Sequence, residues 1–258
     1  MDPGSQKPLV LLSNDDGYRA AGLEALHAAL LEHFDVVVCA PDGEQSASSH
    51  SLSLNRPLRV MKHADNVYSV DGTPADSVYV ALHATHILPR PPDLVVAGMN
   101  HGLNLGSDVF YSGTVAAARE GALQGHLALA VSASRKTDVE AGARMGARIA
   151  RALWGAGVPG PLLFNVNFPP GSDWPVRATR VGRREYGGGL VERKDPRGVP
   201  YYWVGGTSVL HHPAPGSDTE AYDEGVVGIT PLVLDLWSRD LEEGARQVAS
   251  HVEPESRK

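Results

Sequence analysis

Short apolar runs and helically spaced apolar residues alternate along the first two thirds of the chain. Leu9 to Leu12 is an unbroken apolar run that ends in the polar cluster Ser13-Asn14-Asp15-Asp16-Gly17, and Leu23, Leu26, Leu30 and Leu31 follow at helical spacing. The same reading predicts strands over Val36 to Ala40, Leu94 to Ala97, Leu127 to Val131 and Leu162 to Phe168. It predicts helices over Pro74 to Leu88, Thr114 to Leu123 and Val139 to Trp154. Short apolar strands alternating with helices imply an α/β fold with a doubly wound, mainly parallel sheet covered on both faces. Between residues 51 and 70, the β-rich stretches Leu58 to Met61 and Val67 to Val70 predict an inserted hairpin.

The pattern changes after Pro170. Prolines, glycines and aromatics cluster in Arg183 to Gly206 without βα alternation. Residues 1–170 therefore read as a catalytic α/β domain. Residues 171–258 read as a β-rich C-terminal extension ending in an amphipathic helix, Trp237 to Val252, with Leu241, Ala245 and Val248 on one side. An arm carrying Tyr201, Tyr202 and Trp203 leaves aromatic surface in need of cover, so it is expected to make homo-oligomer contacts. His211-His212, in a Pro/Gly-rich stretch, are expected to face solvent.

Composition narrows the function classes. Hydrophobic residues make up 42 % and charged residues 21 % of the 258, as in globular proteins, and no apolar run approaches the roughly 20 residues that span a bilayer. The N-terminal stretch lacks the charged and apolar regions of a secretory signal, so cytoplasmic residence is expected. A net charge of −7 argues against a nucleic acid polymer as partner, though not against a mononucleotide held at a local anion site. Cys39 is the single cysteine, which excludes an intrachain disulfide and a cysteine-based zinc site and suits a small apolar residue at the end of a buried strand.

In open parallel sheets ligands bind beyond the carboxyl ends of the strands, so three polar strand-end loops are the candidate chemistry. In Asn14-Asp15-Asp16-Gly17, two adjacent carboxylates repel each other unless a cation or protons compensate, and a hard divalent ion such as Mg²⁺ or Mn²⁺ suits oxygen donors. Asp before a helix also serves as an N-cap, so the pair alone leaves both roles open. The loop 40–50 after the second strand offers Ser46 as a neutral oxygen ligand and His50 as a proton donor or phosphate contact. The third loop begins at Asn100, whose amide oxygen can bind a metal without adding charge. It runs through His101 and Asn104 to Ser112-Gly113-Thr114, where a helix N-terminus favours an anion or is simply capped by Ser112. No GxxxxGK[ST], strand-linked GxGxxG, HExxH or GxSxG motif is present.

Together the loops resemble the SurE family, stationary-phase survival proteins that act as 5′-nucleotidases. The carrying segments are SNDDG at 13 to 17, APDGEQSASSHS at 40 to 51, DGTPADSV at 71 to 78 and AGMNHGLNLGSDVFYSGTVAAAREGA at 97 to 122. FNVNFP at 164 to 169, YYW at 201 to 203 and DTEAYDEGVVGITPL at 218 to 232 follow, so only the two ends fall outside. Ser13 stands where the family usually has threonine, and Gly228 where it commonly has serine.

The resemblance implies a Rossmann-like domain, C-terminal arms exchanged within a homodimer or homotetramer, and one divalent cation per subunit held by Asp15, Asp16, Ser46 and Asn100. It implies hydrolysis of nucleoside monophosphates by metal-activated water, with 3′-nucleotides and short polyphosphates as further substrates. On this reading Asp15 or Asp16 orients the water, and His50 or His101 protonates the leaving alkoxide. Asn14, Asn104, Ser112, Gly113 and Thr114 contact the substrate. A nucleotide-binding regulator without turnover and a receiver-like Mg²⁺-binding domain share parts of this pattern, but a receiver needs a phosphorylatable Asp where Asn100 stands.

Overall fold

In the computed structural model, residues 7–158, 160–204, 209–212 and 214–252 are described. The strands of the α/β part are β1 (Leu9–Ser13), β2 (Asp35–Pro41), β3 (Val60–Ala64), β4 (Val67–Val70), β5 (Leu94–His101), β6 (Leu127–Ala133) and β7 (Leu163–Phe168). The helices between them are α1 (Ala21–Leu31), α2 (Pro74–His83), α3 (Gly113–Leu123) and α4 (Val139–Gly155). The C-terminal part adds β8 (Val176–Ala178), β9 (Arg184–Tyr186), β10 (Leu190–Lys194), β11 (Pro200–Val204), β12 (Val209–His211), α5 (Asp218–Asp223), β13 (Val227–Leu232) and α6 (Glu242–Val252).

Nine strands form one sheet in the order β3-β4-β2-β1-β5-β6-β7-β13-β8. The run from β4 to β7 is parallel throughout. The chain starts in the middle, winds outward through β2 and β4, and then crosses to β5, β6 and β7. The winding direction therefore reverses between β1 and β5, which is where open α/β sheets bind ligands. Alternate residues of β1 serve opposite faces. Val10 and Leu12 pack with Leu26 and Leu30 of α1 and Ala143 and Ala147 of α4. Leu9 and Leu11 pack with Val78 of α2 and Val115 and Ala118 of α3. Two cores thus sandwich the sheet, which explains strands that are apolar at every position. Cys39 is fully buried in β2, and burial pushes its thiol up to about 12.

The predicted hairpin forms as β3 and β4, with Asn66 at φ 60 in its turn, and β4 extends the main sheet alongside β2. Two helices differ from expectation. The second ends at His83 because Ala84 is extended, and the chain turns back so that Ile87 reaches the core from a loop before Pro89. The last begins at Glu242, not Trp237, after a single 3-10 turn at Arg239–Leu241, and none of its residues is buried.

The sheet does not stop at Pro170. β13 pairs antiparallel with β7, and β8 pairs with β13, so part of the extension completes the main sheet. Gly228 lets this happen closely, since a Cβ there would lie 2.9 Å from the Thr179 hydroxyl. By contrast β10 and β11 form a separate two-stranded ribbon exposed at every residue, with Tyr201, Tyr202 and Trp203 on it. His211 is not solvent-facing as expected: its side chain is 17 % exposed and pairs with Asp223 at 2.8 Å, while His212 pairs with Glu185.

Candidate functional site

The ends of β1, β5 and β6 and the loop after β2 surround a cavity of about 730 Å³. β5 carries an irregularity that shapes it. Its register with β6 shifts between Ala97 and Asn100, and Gly98 at φ 135 brings the backbone so close that a Cβ would lie 2.3 Å from the Val131 carbonyl oxygen. Such a bulge re-aims the residues that follow, and here these are Asn100 and His101, still within the strand instead of after it.

Asp15, Asp16, Ser46, Asn100, His101, Asn104 and Ser112 all line this cavity, although up to 97 residues separate Asp15 from Ser112 in sequence. Asp15 is 4 % exposed and accepts a hydrogen bond from the Thr114 hydroxyl at the start of α3. Burial raises its carboxyl to about 6, against the Thr114 bond that lowers it, and neighbouring Asp16 adds to the rise. Asp16 accepts from the backbone N–H of His101 at 3.2 Å. Burial again raises its carboxyl, the His101 bond opposes, and Glu44 contributes repulsion. Asn100 donates its amide nitrogen to the Gly102 carbonyl at 3.0 Å, so the amide's acceptor end remains for the cavity. Ser46, on the exposed rim, donates to Glu44 at 3.0 Å and keeps its oxygen lone pairs.

Of the other expected contacts, Asn14, His50, Gly113 and Thr114 lie outside the cavity, while Ser112 and Asn104 line it and are held from behind. Asn14 is buried below the loop, bridging to Gly17 through both ends of its amide at 2.9 and 3.2 Å. Gly113 and Thr114 sit behind Asp15 and do not line the cavity. A Cβ on Gly113 would meet the Asp15 Cβ at 2.8 Å, so this position admits the carboxylate only because it is glycine. Ser112 caps α3 by accepting from the Val115 N–H at 3.0 Å. His50 turns away from the cavity, with Nε2 2.7 Å from the buried Glu120 carboxylate of α3. The pair fastens the loop that carries Ser46, which Gln45 N–H to the Asp15 carbonyl (2.8 Å) and Ser49 N–H to the Tyr111 carbonyl (3.1 Å) also hold. Asn104 is tied to β6 and β7 by Ser132, Asn165 and Asn167.

Several lining residues were not singled out in the sequence. Arg135 stands after β6, and Tyr186 comes from β9 of the extension. The Tyr186 hydroxyl donates to Asp108 at 2.8 Å, and Arg184 pairs with the other oxygen of the same carboxylate. Burial, reinforced by the bond to Asp108 and its charge, pushes the Tyr186 hydroxyl up to about 12. Asp218, at the start of α5, accepts from Gly106 and Gly182 and so ties the turn before α3 to the start of the extension. The strand-end signal could have found Arg135. Asp108 lies in the third loop, but nothing local marks its partner Tyr186 or Asp218, which are brought there by long-range contacts.

The donor set suits a hard divalent cation. Two carboxylates whose ionisation is opposed by burial and by each other gain from a positive charge, and two neutral oxygens add coordination without further repulsion. No group of three or more His, Cys, Asp or Glu placed to hold a metal ion occurs among the described residues, so a cation here would rest on the two carboxylates and neutral oxygens.

Residues 10–188 match the family described as Survival protein SurE. The chain is 60 % identical to the 5′-nucleotidase SurE of Sorangium cellulosum over 90 % of its length and 92 % of the relative's. It is 53 % identical to the 5′-nucleotidase SurE of Anaeromyxobacter dehalogenans, over 88 % of this chain and 90 % of that one. It also resembles the crystal structure of the SurE protein from Aquifex aeolicus, with TM-score 0.82 and 36 % identity, covering 94 % of this chain and 100 % of that chain. No helix among the described residues is long and apolar enough to cross a membrane.

Proposed function

Because the chain belongs to the SurE family, we propose that it is a metal-dependent 5′-nucleotidase whose chemistry takes place in the cavity between β1 and β5. The observation that carries this reading is the convergence of Asp15, Asp16, Ser46 and Asn100 on that cavity at the sheet's switch point. These four residues would hold one cation per subunit, Mg²⁺ or Mn²⁺. When bound, such a cation supplies Lewis acidity toward a phosphoryl oxygen and a lowered pKa for coordinated water.

The chain's own residues do the rest. Asp16, pinned by the His101 N–H, orients one carboxylate oxygen toward the phosphate and its attacking water. Ser112 and Asn104, both on the cavity wall, face the non-bridging oxygens, where charge builds in the transition state. Thr114 and Gly113 act indirectly, by fixing and admitting Asp15. His101 would protonate the leaving alkoxide, a role supported by its position on the cavity lining, whereas His50 is committed to Glu120. The uncovered aromatic ribbon and the unburied α6 support subunit association through exchanged arms.

The test is phosphate release from AMP, 3′-AMP and short polyphosphate with Mg²⁺, Mn²⁺, Ca²⁺ or EDTA, in wild type and Asp16→Asn. Turnover of AMP that survives both EDTA and the substitution would sink the assignment, and binding without turnover would favour a regulator.

A further inference from the structure

The catalytic cavity does not end at the carboxylates. Toward the extension it continues into a second recess of about 460 Å³, and Gly102, Leu103, Ser134, Arg135 and Tyr186 line both. Lys136, Pro170, Arg184 and Tyr222 complete the lining of the recess. The phosphate site thus opens sideways into a space of the size that small-molecule sites occupy, with aromatic and cationic walls.

Tyr186 sits where the two spaces join. Its residue is 51 % exposed, yet the ring is not free to rotate away. Its hydroxyl is anchored on Asp108 at 2.8 Å, and the Arg184 guanidinium, bound to the same carboxylate, covers one face of the ring at 5.3 Å from its centroid, so a ligand would stack on the opposite face. Asp108 is itself buried, so the anchor is firm. An exposed aromatic ring held at its polar end has already lost the rotamer freedom that stacking on a ligand would otherwise cost. Arg135, which lines both spaces, carries a second flat group of the kind on which bases stack.

We propose that Tyr186 is a specificity-determining residue: with the phosphate at the Asp15-Asp16 end, the nucleobase enters the second recess and stacks on the Tyr186 ring. This rests on the nucleotidase reading and names the part of the substrate that reading leaves unplaced. Stacking tolerates any base, because every base presents a π face, and it is stronger for the larger purines. The recess therefore selects nucleotides over phosphate esters that lack a base, and purine over pyrimidine nucleotides.

The experiment is steady-state kinetics with Mn²⁺ on AMP, CMP and ribose 5-phosphate for wild type, Tyr186→Ala, Tyr186→Leu and Tyr186→Phe. In the Ala and Leu variants kcat/KM for AMP is expected to fall about tenfold further than for ribose 5-phosphate, mainly through KM, with CMP between them. Phe keeps the ring and loses only the bond to Asp108, so it should retain most of the preference for AMP. Equal losses on all three esters would overturn the assignment, as would a Leu variant that discriminates like Phe. Misfolding of the Ala variant does not remove the test, because Leu keeps an apolar side chain much closer in size to the ring and Phe keeps the ring itself, so the two differ chiefly in the π face. Failure of wild type to hydrolyse AMP at all would instead refute the nucleotidase reading, before any variant is made, and this proposal with it.

Discussion

Asp15→Asn separates the energetic cost of the site from its use. Without a cation, burial holds the Asp15 carboxyl at about 6 against an ordinary 3.8, despite the Thr114 hydrogen bond and with Asp16 adding repulsion. The folded state thus binds this proton more tightly than the unfolded state. The protein is spared the cost below about pH 4 and loses stability progressively as pH rises through 6. About two units at 1.36 kcal/mol each come to about 3 kcal/mol of destabilisation once the group is ionised. Asparagine removes the charge and keeps an oxygen that can accept from Thr114.

In EDTA at about pH 8, Asp15→Asn should therefore be more stable than wild type by about 2–3 kcal/mol, or roughly 5–10 °C in Tm. The advantage should vanish near pH 4, where both side chains are neutral. With Mn²⁺ at about 100 times its Kd, wild type should regain about 2.7 kcal/mol and the variant little. Thermal unfolding across this pH range, with and without chelator, measures all three. A variant less stable than wild type in EDTA at the alkaline end, or an advantage that does not depend on pH, refutes the reasoning.

The two histidines should separate. His101→Ala is expected to lower kcat about a hundredfold with little change in Tm, whereas His50→Ala leaves the buried Glu120 with Gln124 as its one remaining side-chain partner and should cost about 1–3 kcal/mol in stability. Kinetics and melting curves on both variants check this. In Gly113→Ala the new Cβ would lie 2.8 Å from the Asp15 Cβ and 3.0 Å from its Oδ2, so activity and the Mn²⁺-induced rise in Tm should both disappear while the fold survives. Replacing Tyr201 and Trp203 on the exposed ribbon by Asp should reduce the oligomer to monomer in light scattering, and an unchanged mass would count against arm exchange.

What could be read from the sequence follows the range of the interactions involved. The parallel core was legible because β1, β2, β5, β6 and β7 are buried on both faces, so their apolar runs are continuous and their boundaries fall at polar clusters. The cavity positions of Asp15, Asp16 and Asn100 were legible because each lies at the end of such a run, and Ser112 because it stands just before a helix. The end of α2 was misread because Ile87 and Leu88 continue the apolar spacing, although they reach the core from a loop. His50 looked like a cavity residue because it follows Ser46 in one polar loop. Its orientation is decided by Glu120, 70 residues away, which no local pattern encodes. The pairing of β13 with β7 was hidden for the same reason, since a strand that closes a sheet from a distant segment carries no βα rhythm.

These long-range contacts bear on how the cavity works. Asp108, within the loop after β5, and Asp218, far from it in sequence, each bind the turn before α3 to the extension, Asp108 through Arg184 and Tyr186, Asp218 through Gly106 and Gly182. That turn leads directly into Ser112, the α3 cap on the cavity wall, and into Thr114, which holds Asp15. A displacement of β9 would therefore reach the phosphate end through one short segment of chain, as well as removing the Tyr186 wall. The ribbon β10–β11 follows β9 after only a few residues and has no packing of its own among the described residues. If the exchanged-arm association proposed above covers that ribbon, it also steadies β9, and loss of the oligomer should then weaken AMP binding as well as lower stability.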